Sequence, residues 1–252
     1  MSVRAEARLL SRILRVGLLL AIAGQIAWSF RPAPSRAETD QLREGRRLFE
    51  AGCSTCHGLG GQGTENGPTL HGVGSAAVDF MLSTGRMPLS NPGVQPGRQP
   101  VSFSREQMDA IIAYVATIAP GGPAIPDVRA EDGELPAGAA LFLGSCAACH
   151  GAGASGDSVG GGQIAPALQP ADATQIGEAI RIGPGVMPRF SERTLSVADV
   201  NSIARYLLWL RDNGAEGGLQ LGRVGAVAEG LAAVVVGLGL MLLAIRLTGS
   251  KP

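Results

Sequence analysis

The sequence predicts an all-α protein in which two tandem helical domains lie between two apolar ends. Three observations predict this fold class. A five-residue cysteine–histidine motif occurs twice in the same frame, an amphipathic helical pattern follows each copy, and the most apolar stretches stand at the two ends of the chain. We therefore expect domains at residues 38–119 and 137–213, named here the first repeat and the second repeat, joined by a linker at 120–136.

Residues 1–37 are typical of an export signal or of an uncleaved signal anchor. Residues 16–30 form a short apolar run, and basic residues precede it, namely Arg4, Arg8, Arg12 and Arg15. Ser35-Arg36-Ala37 is a candidate cleavage site, and both forms of the segment stay open. Because basic residues remain in the cytoplasm, we expect the chain after this segment to lie outside it.

The two repeats contain the same elements in the same order. In the first repeat these are Gly45 to Phe49, Cys53 to His57, Gly67 to Leu70, Gly85 to Pro88 and Phe103 to Tyr114. In the second repeat they are Gly138 to Phe142, Cys146 to His150, Ala165 to Leu168, Gly185 to Pro188 and Leu195 to Tyr206. Each repeat is therefore predicted to be a helix that carries the motif, a glycine-rich loop and a closing helix.

The closing segments have the apolar spacing of amphipathic helices. Apolar residues recur at steps of three and four, at Met108, Ile111, Ile112, Val115 and Ile118 and at Val200, Ile203, Ala204, Leu207 and Leu210. Ser104 and Ser196 are predicted helix starts, since Gln107 and Asp199 follow three residues later.

The first repeat has an extra proline-rich loop, Leu89 to Pro100, without a counterpart in the second. It is either a contact loop or a tolerated insertion. We favour the insertion, because added loop length costs little free energy.

Residues 224–247 predict a transmembrane helix. Arg246 and Lys251 stand at its far end, which places the C-terminus in the cytoplasm and the repeats on the extracytoplasmic side of the cell membrane. Both ends of the chain thus predict the same topology.

A Cys-x-x-Cys-His sequence is the attachment motif of c-type haem. The chain has four cysteines, and all belong to the two motifs: Cys53, Cys56, Cys146 and Cys149. We expect two covalently bound haem c groups, with His57 and His150 as axial iron ligands. Tetrahedral zinc sites and dithiol redox pairs also use Cys-x-x-Cys, but the repeated histidine disfavours both. Aromatic residues are 4% of the chain, so a large apolar group is needed to fill the interior.

Met87 and Met187 are the expected second axial ligands. Each stands in a Gly-x-Met-Pro frame after its motif, and Met/His ligation is a known cytochrome c pairing. Met81 and Met108 compete for the first iron, but neither has a counterpart in the second repeat. His71 aligns with Gln169 and is expected to be a surface or loop residue.

Composition and ligation exclude several function classes. The formal net charge is zero, so no basic surface indicates nucleic acid. Two protein ligands on each iron leave no open position for a substrate, which indicates electron transfer. The chain has three histidines, and two serve the motifs, so a Ser-His-Asp triad is not expected.

Each repeat resembles a class I cytochrome c domain on the residues quoted above. The resemblance implies that the Nδ1–H of each motif histidine donates to a proline carbonyl, at Pro68 and at Pro166. It also implies that the first and closing helices of each repeat cross, at Phe49 with Tyr114 and at Phe142 with Tyr206.

Over nearly its whole length, the chain resembles the dihaem cytochrome c subunit of actinobacterial menaquinol–cytochrome c reductases, the cytochrome bc complexes. The motifs and the start of the last helix, residues 219–225 and Glu229-Gly230-Leu231, carry this resemblance. It implies cytochrome b, Rieske iron–sulfur and terminal oxidase partners. It also implies a route from the Rieske centre through the N-terminal and then the C-terminal haem to the oxidase. Such a chain is the electron-transfer subunit of an oxidoreductase.

Two other functions stay open. One is an anchored dihaem carrier of a periplasmic dehydrogenase or oxidase. The other is a dihaem peroxidase, which would need an open iron position, and the two methionines argue against it.

Overall fold

The structure, a computed structural model, describes residue 17 and residues 36–89, 97–213 and 226–249. Most of the signal or anchor segment predicted at 1–37 lies outside these residues. The described helices are α1 (Arg36–Gly52), α2 (Ser54–His57), α3 (Ser75–Ser83), α4 (Arg105–Ile118), α5 (Leu135–Ser145), α6 (Ala147–His150), α7 (Ala173–Ile182), α8 (Val197–Asn213) and α9 (Ala226–Thr248), with a 3₁₀ turn at Ala130–Asp132. The described strands are β1 (Asp157–Gly160) and β2 (Gln163–Ala165).

Residues 1–42 and 43–252 form two compact units. Of the first unit, the structure describes residue 17 and the beginning of α1. The second unit contains both cysteine motifs, and the packing described below belongs to it.

The closing helices begin where the sequence predicts. The Ser104 hydroxyl accepts a hydrogen bond from the Gln107 N–H, and the Gln107 side chain accepts one from the Ser104 N–H at 2.9 Å. The Asp199 carboxylate likewise accepts from the Ser196 N–H at 2.8 Å, and the Ser196 hydroxyl accepts from the Asp199 N–H. These reciprocal bonds satisfy backbone donors that a helix start leaves free.

A glycine brings the first and closing helices of each repeat into close contact. A Cβ atom on Gly45 would lie 1.9 Å from the carbonyl oxygen of Ala110, and one on Gly138 would lie 1.9 Å from that of Ser202. Any other residue would therefore force the helices apart.

An aromatic pair lies at each of these contacts. The ring centroids are 5.6 Å apart for Phe49 and Tyr114, and 5.7 Å apart for Phe142 and Tyr206. The predicted pairing of these helices is confirmed. Both phenylalanines are almost fully buried and belong to separate apolar cores, one in each repeat.

The fold is mostly helical, as expected, and the second repeat adds one short hairpin, β1–β2, that the sequence did not predict. The strands pair antiparallel, with Asp157 opposite Ala165. Gly160, Gly161 and Gly162 turn the chain, all with positive φ, a region that glycine enters without steric cost. The same loop of the first repeat is shorter and has a single bridge between Thr64 and Gly67.

The repeats contact each other through α3 and α7. Ala76, Phe80 and Ile182 form a small buried apolar cluster between these helices. The extra loop of the first repeat also reaches across, because Arg98 donates to the Gln175 side-chain oxygen at 2.7 Å. Arg98 of this loop therefore contacts the second repeat, and the interpretation of the loop as a tolerated insertion stays a prediction. The loop tip, residues 90–96, lies outside the described residues.

Helix α9 matches the predicted transmembrane segment. Residues 230–248 have a mean hydropathy of 2.3, and none of this stretch is buried. The helix is long and apolar enough to cross a membrane.

Candidate functional site

Each cysteine motif forms a single turn of helix at the end of the first helix of its repeat. The Cys53 N–H donates to the Phe49 carbonyl at 2.9 Å, and the His57 N–H donates to the Cys53 carbonyl at 2.9 Å. In the second repeat, the Cys146 N–H donates back to Phe142 at 2.8 Å, and the His150 N–H donates to Cys146 at 2.9 Å. Each motif therefore continues directly from the first helix of its repeat.

The four cysteines are free thiols in the structure. Cys53, Cys56 and Cys146 are half-buried, and Cys149 is exposed. Burial, followed by the neighbouring Cys56, raises the pKa of Cys53 to about 11, and burial also raises the pKa of Cys146. A dithiol redox motif needs a reactive thiolate, which the raised pKa of Cys53 and of Cys146 disfavours. Among the described residues, no group of three or more His, Cys, Asp or Glu side chains is arranged to hold a metal ion.

Each motif histidine is held by a hydrogen bond at one of its ring nitrogens. His57 Nδ1 lies 2.8 Å from the Pro68 carbonyl oxygen, and His150 Nδ1 lies 3.0 Å from that of Pro166. A carbonyl can only accept, so Nδ1 is the donor, and in the neutral ring Nε2 then has the lone pair. The hydrogen bonds implied by the cytochrome c resemblance are confirmed, and they leave each ring ready to ligate iron through Nε2.

A glycine with positive φ fixes each of these prolines against its histidine. The Gly63 N–H donates to the His57 carbonyl at 2.7 Å, and the Gly156 N–H donates to the His150 carbonyl at 2.9 Å. A Cβ on either glycine would lie under 3.0 Å from the backbone that follows the proline carbonyl. Both the conformation and the space therefore require glycine here.

Each predicted methionine ligand borders the same apolar core as the first cysteine of its motif. Met87 and Cys53 pack on the core of the first repeat, and Met187 and Cys146 pack on that of the second. Iron ligation by Met87 and Met187 stays a prediction.

The competing methionines and His71 have other environments. Met108 is buried in the core face of α4, and Met81 packs on the apolar cluster between α3 and α7. Met81 and Met108 thus each pack in an apolar cluster, and the choice of Met87 over them as the ligand stays a prediction. His71 is exposed in a turn, as expected.

Sequence reasoning missed several polar residues that are half-buried or buried. Arg86, between Gly85 and Met87, places its guanidinium 4.8 Å from the centre of the Phe80 ring. Asp79 and Glu178 are buried where α3 meets α7. A charged residue inside an apolar helical run was the available signal for Asp79, but nothing local indicates its partner.

Comparison with known families agrees with the two repeats. The family model for cytochrome c matches residues 42–119, and the model for cytochrome c oxidase, cbb3-type, subunit III, matches residues 133–207. The cytochrome bc1 complex cytochrome c subunit of Mycobacterium tuberculosis is 39% identical over 251 residues, covering 92% of this chain and 89% of that protein. The chain belongs to the family of cytochrome bc1 complex cytochrome c subunits.

Other relatives agree with this membership. The cytochrome bc1 complex cytochrome c subunit of Corynebacterium diphtheriae is 35% identical, over 83% of this chain and 81% of its own length. The cbb3-type cytochrome c oxidase subunit CcoP of Azospirillum is 32% identical over 65% of this chain and 60% of its own length. Membership in a cytochrome c family implies covalently bound haem c, and the chain's motifs and histidine geometry fit that group.

Proposed function

We propose that this chain is the dihaem cytochrome c subunit of a menaquinol–cytochrome c reductase. It would receive electrons from a Rieske centre and pass them through two haems to a terminal oxidase. The observation that carries the proposal is the doubled Cys-x-x-Cys-His motif, in which each histidine donates through Nδ1 and offers Nε2 to iron. The names of the actinobacterial relatives support the choice of complex.

The chain's own residues have distinct roles in this proposal. Cys53 and Cys56 bind one haem covalently, and Cys146 and Cys149 bind the other. Haem c supplies a one-electron couple between ferric and ferrous iron. Met87 and Met187 complete the coordination, and a thioether ligand favours the ferrous state and raises the reduction potential.

The haem-bearing repeats are proposed to be class I cytochrome c domains on the extracytoplasmic side of the cell membrane. Helix α9 would anchor them, with Arg246 and the C-terminus on the cytoplasmic side, because basic residues stay inside. The boundaries proposed for the domains are 38–119 and 137–213.

A second candidate is the cytochrome subunit of an oxidase. It is favoured by the family match of residues 133–207 and by the relative from Azospirillum. The two candidate functions differ in the subunits that the chain binds, so identification of those subunits decides between them.

Co-purification from membranes tests the proposal. We expect the tagged full chain to carry cytochrome b and Rieske subunits with it in mild detergent. A variant truncated before Ala226 serves as a control, because it lacks the proposed anchor. A preparation that contains oxidase subunits but neither cytochrome b nor a Rieske protein would favour the second candidate. Peroxide turnover by the purified chain would instead indicate a peroxidase.

A further inference from the structure

Two carboxyl groups from different repeats meet at a buried site between α3 and α7. Asp79 stands on α3 and is 3% exposed, and Glu178 stands on α7 and is fully buried at 0%. Asp79 faces Glu178 across this contact, and the two carboxyl groups interact electrostatically. The adjoining contact is apolar and is formed by Ala76, Phe80 and Ile182.

The two carboxyl groups differ in their other partners. Asp79 Oδ1 lies 2.7 Å from a guanidinium nitrogen of Arg105, which begins α4. Arg105 also pairs with Asp109, one turn along the same helix. Neither oxygen of Glu178 receives a hydrogen bond from any residue in the described part of the chain. A buried carboxylate without a donor is very costly, so Asp79 is the ionised partner and Glu178 is the neutral one.

The charges that face Glu178 also favour its neutral form. Asp79 faces it from α3, and Asp172 faces it from the N-terminal end of α7. Arg105, from α4, is the cation that opposes them. Burial first, and then Asp79, raises the pKa of Glu178 to about 9 from its ordinary value of 4.5.

We propose that Asp79 and Glu178 together bind one proton, which Glu178 carries and donates to Asp79, and that this proton closes the contact between the two repeats. The proton comes from water when the contact forms and returns to water when Glu178 ionises. A metal cation is a poor alternative occupant, since the Arg105 guanidinium already compensates the Asp79 charge.

The site joins the two segments that carry the predicted methionine ligands. Helix α3 leads into the segment that contains Met87, and the Met87 N–H donates to the Met81 carbonyl at 3.0 Å. Helix α7 leads into the segment that contains Met187. The shared proton would therefore fix the position of one segment relative to the other. This consequence rests on the proposed function, whereas the proton site itself does not.

Hydrogen exchange of the α3 and α7 backbone amides in the full-length haem protein tests the site. Glu178→Gln keeps a donor toward Asp79 but cannot ionise. In the wild type, we expect the opening equilibrium of this contact to rise about tenfold per pH unit more than in Glu178→Gln, from above pH 4.5 to about 9. The comparison is made at matched pH, because the intrinsic exchange rate changes equally in both proteins.

The control is Glu192→Gln, which removes an exposed carboxylate of the second repeat and should follow the wild type. Parallel pH dependence of the wild type and Glu178→Gln would overturn the proposal. So would a wild-type contact that loosens on addition of a metal chelator at neutral pH, because that result indicates a bound cation.

Infrared spectroscopy gives a second readout that needs only the wild type. We expect the C=O stretching band of a protonated carboxylic acid at neutral pH, with loss of this band as pH rises through about 9. The band should be absent from Glu178→Gln and present in Glu192→Gln. A wild type without the band overturns the proposal, whatever its haem content. A protein that shows the band but lacks haem contradicts only the proposed function.

Discussion

The two repeats share the parts that hold a histidine in place and differ in the parts around it. Both have a glycine at the helix contact, a histidine bonded to a proline carbonyl, and a methionine that borders the core. Around these, the histidine of the first repeat, His57, is half-buried, whereas His150 is 8% exposed. The features that both repeats share are those that the proposed haem chemistry requires, whereas the burial of the histidine can differ between the repeats.

The Gly-x-Met-Pro frame contains the clearest difference. Its variable residue is Arg86 in the first repeat, where the guanidinium packs over the Phe80 ring. In the second repeat it is Val186, which is 62% exposed. The first frame is therefore tied to the inter-repeat helix α3, while the second presents an apolar side chain to the surroundings.

Removal of a methionine ligand is expected to have the largest effect, which is on the spectrum and the reduction potential of one haem. Variants in both repeats allow the two irons to be compared directly. Met87→Ala and Met187→Ala should each remove about half of the sulfur-to-iron absorption band of the oxidised protein, with covalent haem retained. Each should also lower the potential of the affected haem, because the thioether favours ferrous iron. Visible spectra and redox titration measure both.

Met108→Leu is the matched control for the methionine variants, because it changes a core methionine that packs in α4. It should leave the band intact. If Met87→Ala also leaves the band unchanged, the ligand assignment of the first repeat is wrong while that of the second still stands.

Replacement of the glycine at each helix contact by alanine is expected to have the next largest effect. It should lower the free energy of unfolding by an equal amount in both repeats. Gly45→Ala and Gly138→Ala would each place a Cβ against a backbone carbonyl, and such overpacking costs about 1–3 kcal/mol. Denaturant unfolding followed by haem absorbance measures the loss.

The same two helices provide the controls. Gly52 and Gly144 have nothing within 4 Å of an added Cβ. Their alanine variants should unfold within about 1 kcal/mol of the wild type. Equal stability of Gly138→Ala and Gly144→Ala would show that the close helix contact at Gly138 does not contribute to stability. The two repeats would then differ at this contact.

Local patterns predicted much of the fold and part of the site. The Ser104 and Ser196 helix starts, the closing helices and the apolar C-terminal helix follow from spacing and side-chain chemistry within a few residues. The histidine–proline hydrogen bonds came from the family resemblance, because residues eleven and sixteen positions apart have no local signature of contact.

What sequence reasoning missed are contacts between segments far apart in the chain. The Arg98–Gln175 bond and the Asp79–Glu178 site depend on how α3 and α7 meet, and no periodicity within either helix reports this. The hairpin of the second repeat was missed because its strands are only four and three residues long, too short for alternation to be recognised.

Mass spectrometry of peptides from the mature protein tests the central claim most directly. In cells competent for haem attachment, one peptide should contain Cys53 and Cys56 and the other Cys146 and Cys149, each with the added mass of one haem. A peptide found with both thiols unmodified, or joined as a disulfide, would contradict the assignment of haem to that repeat.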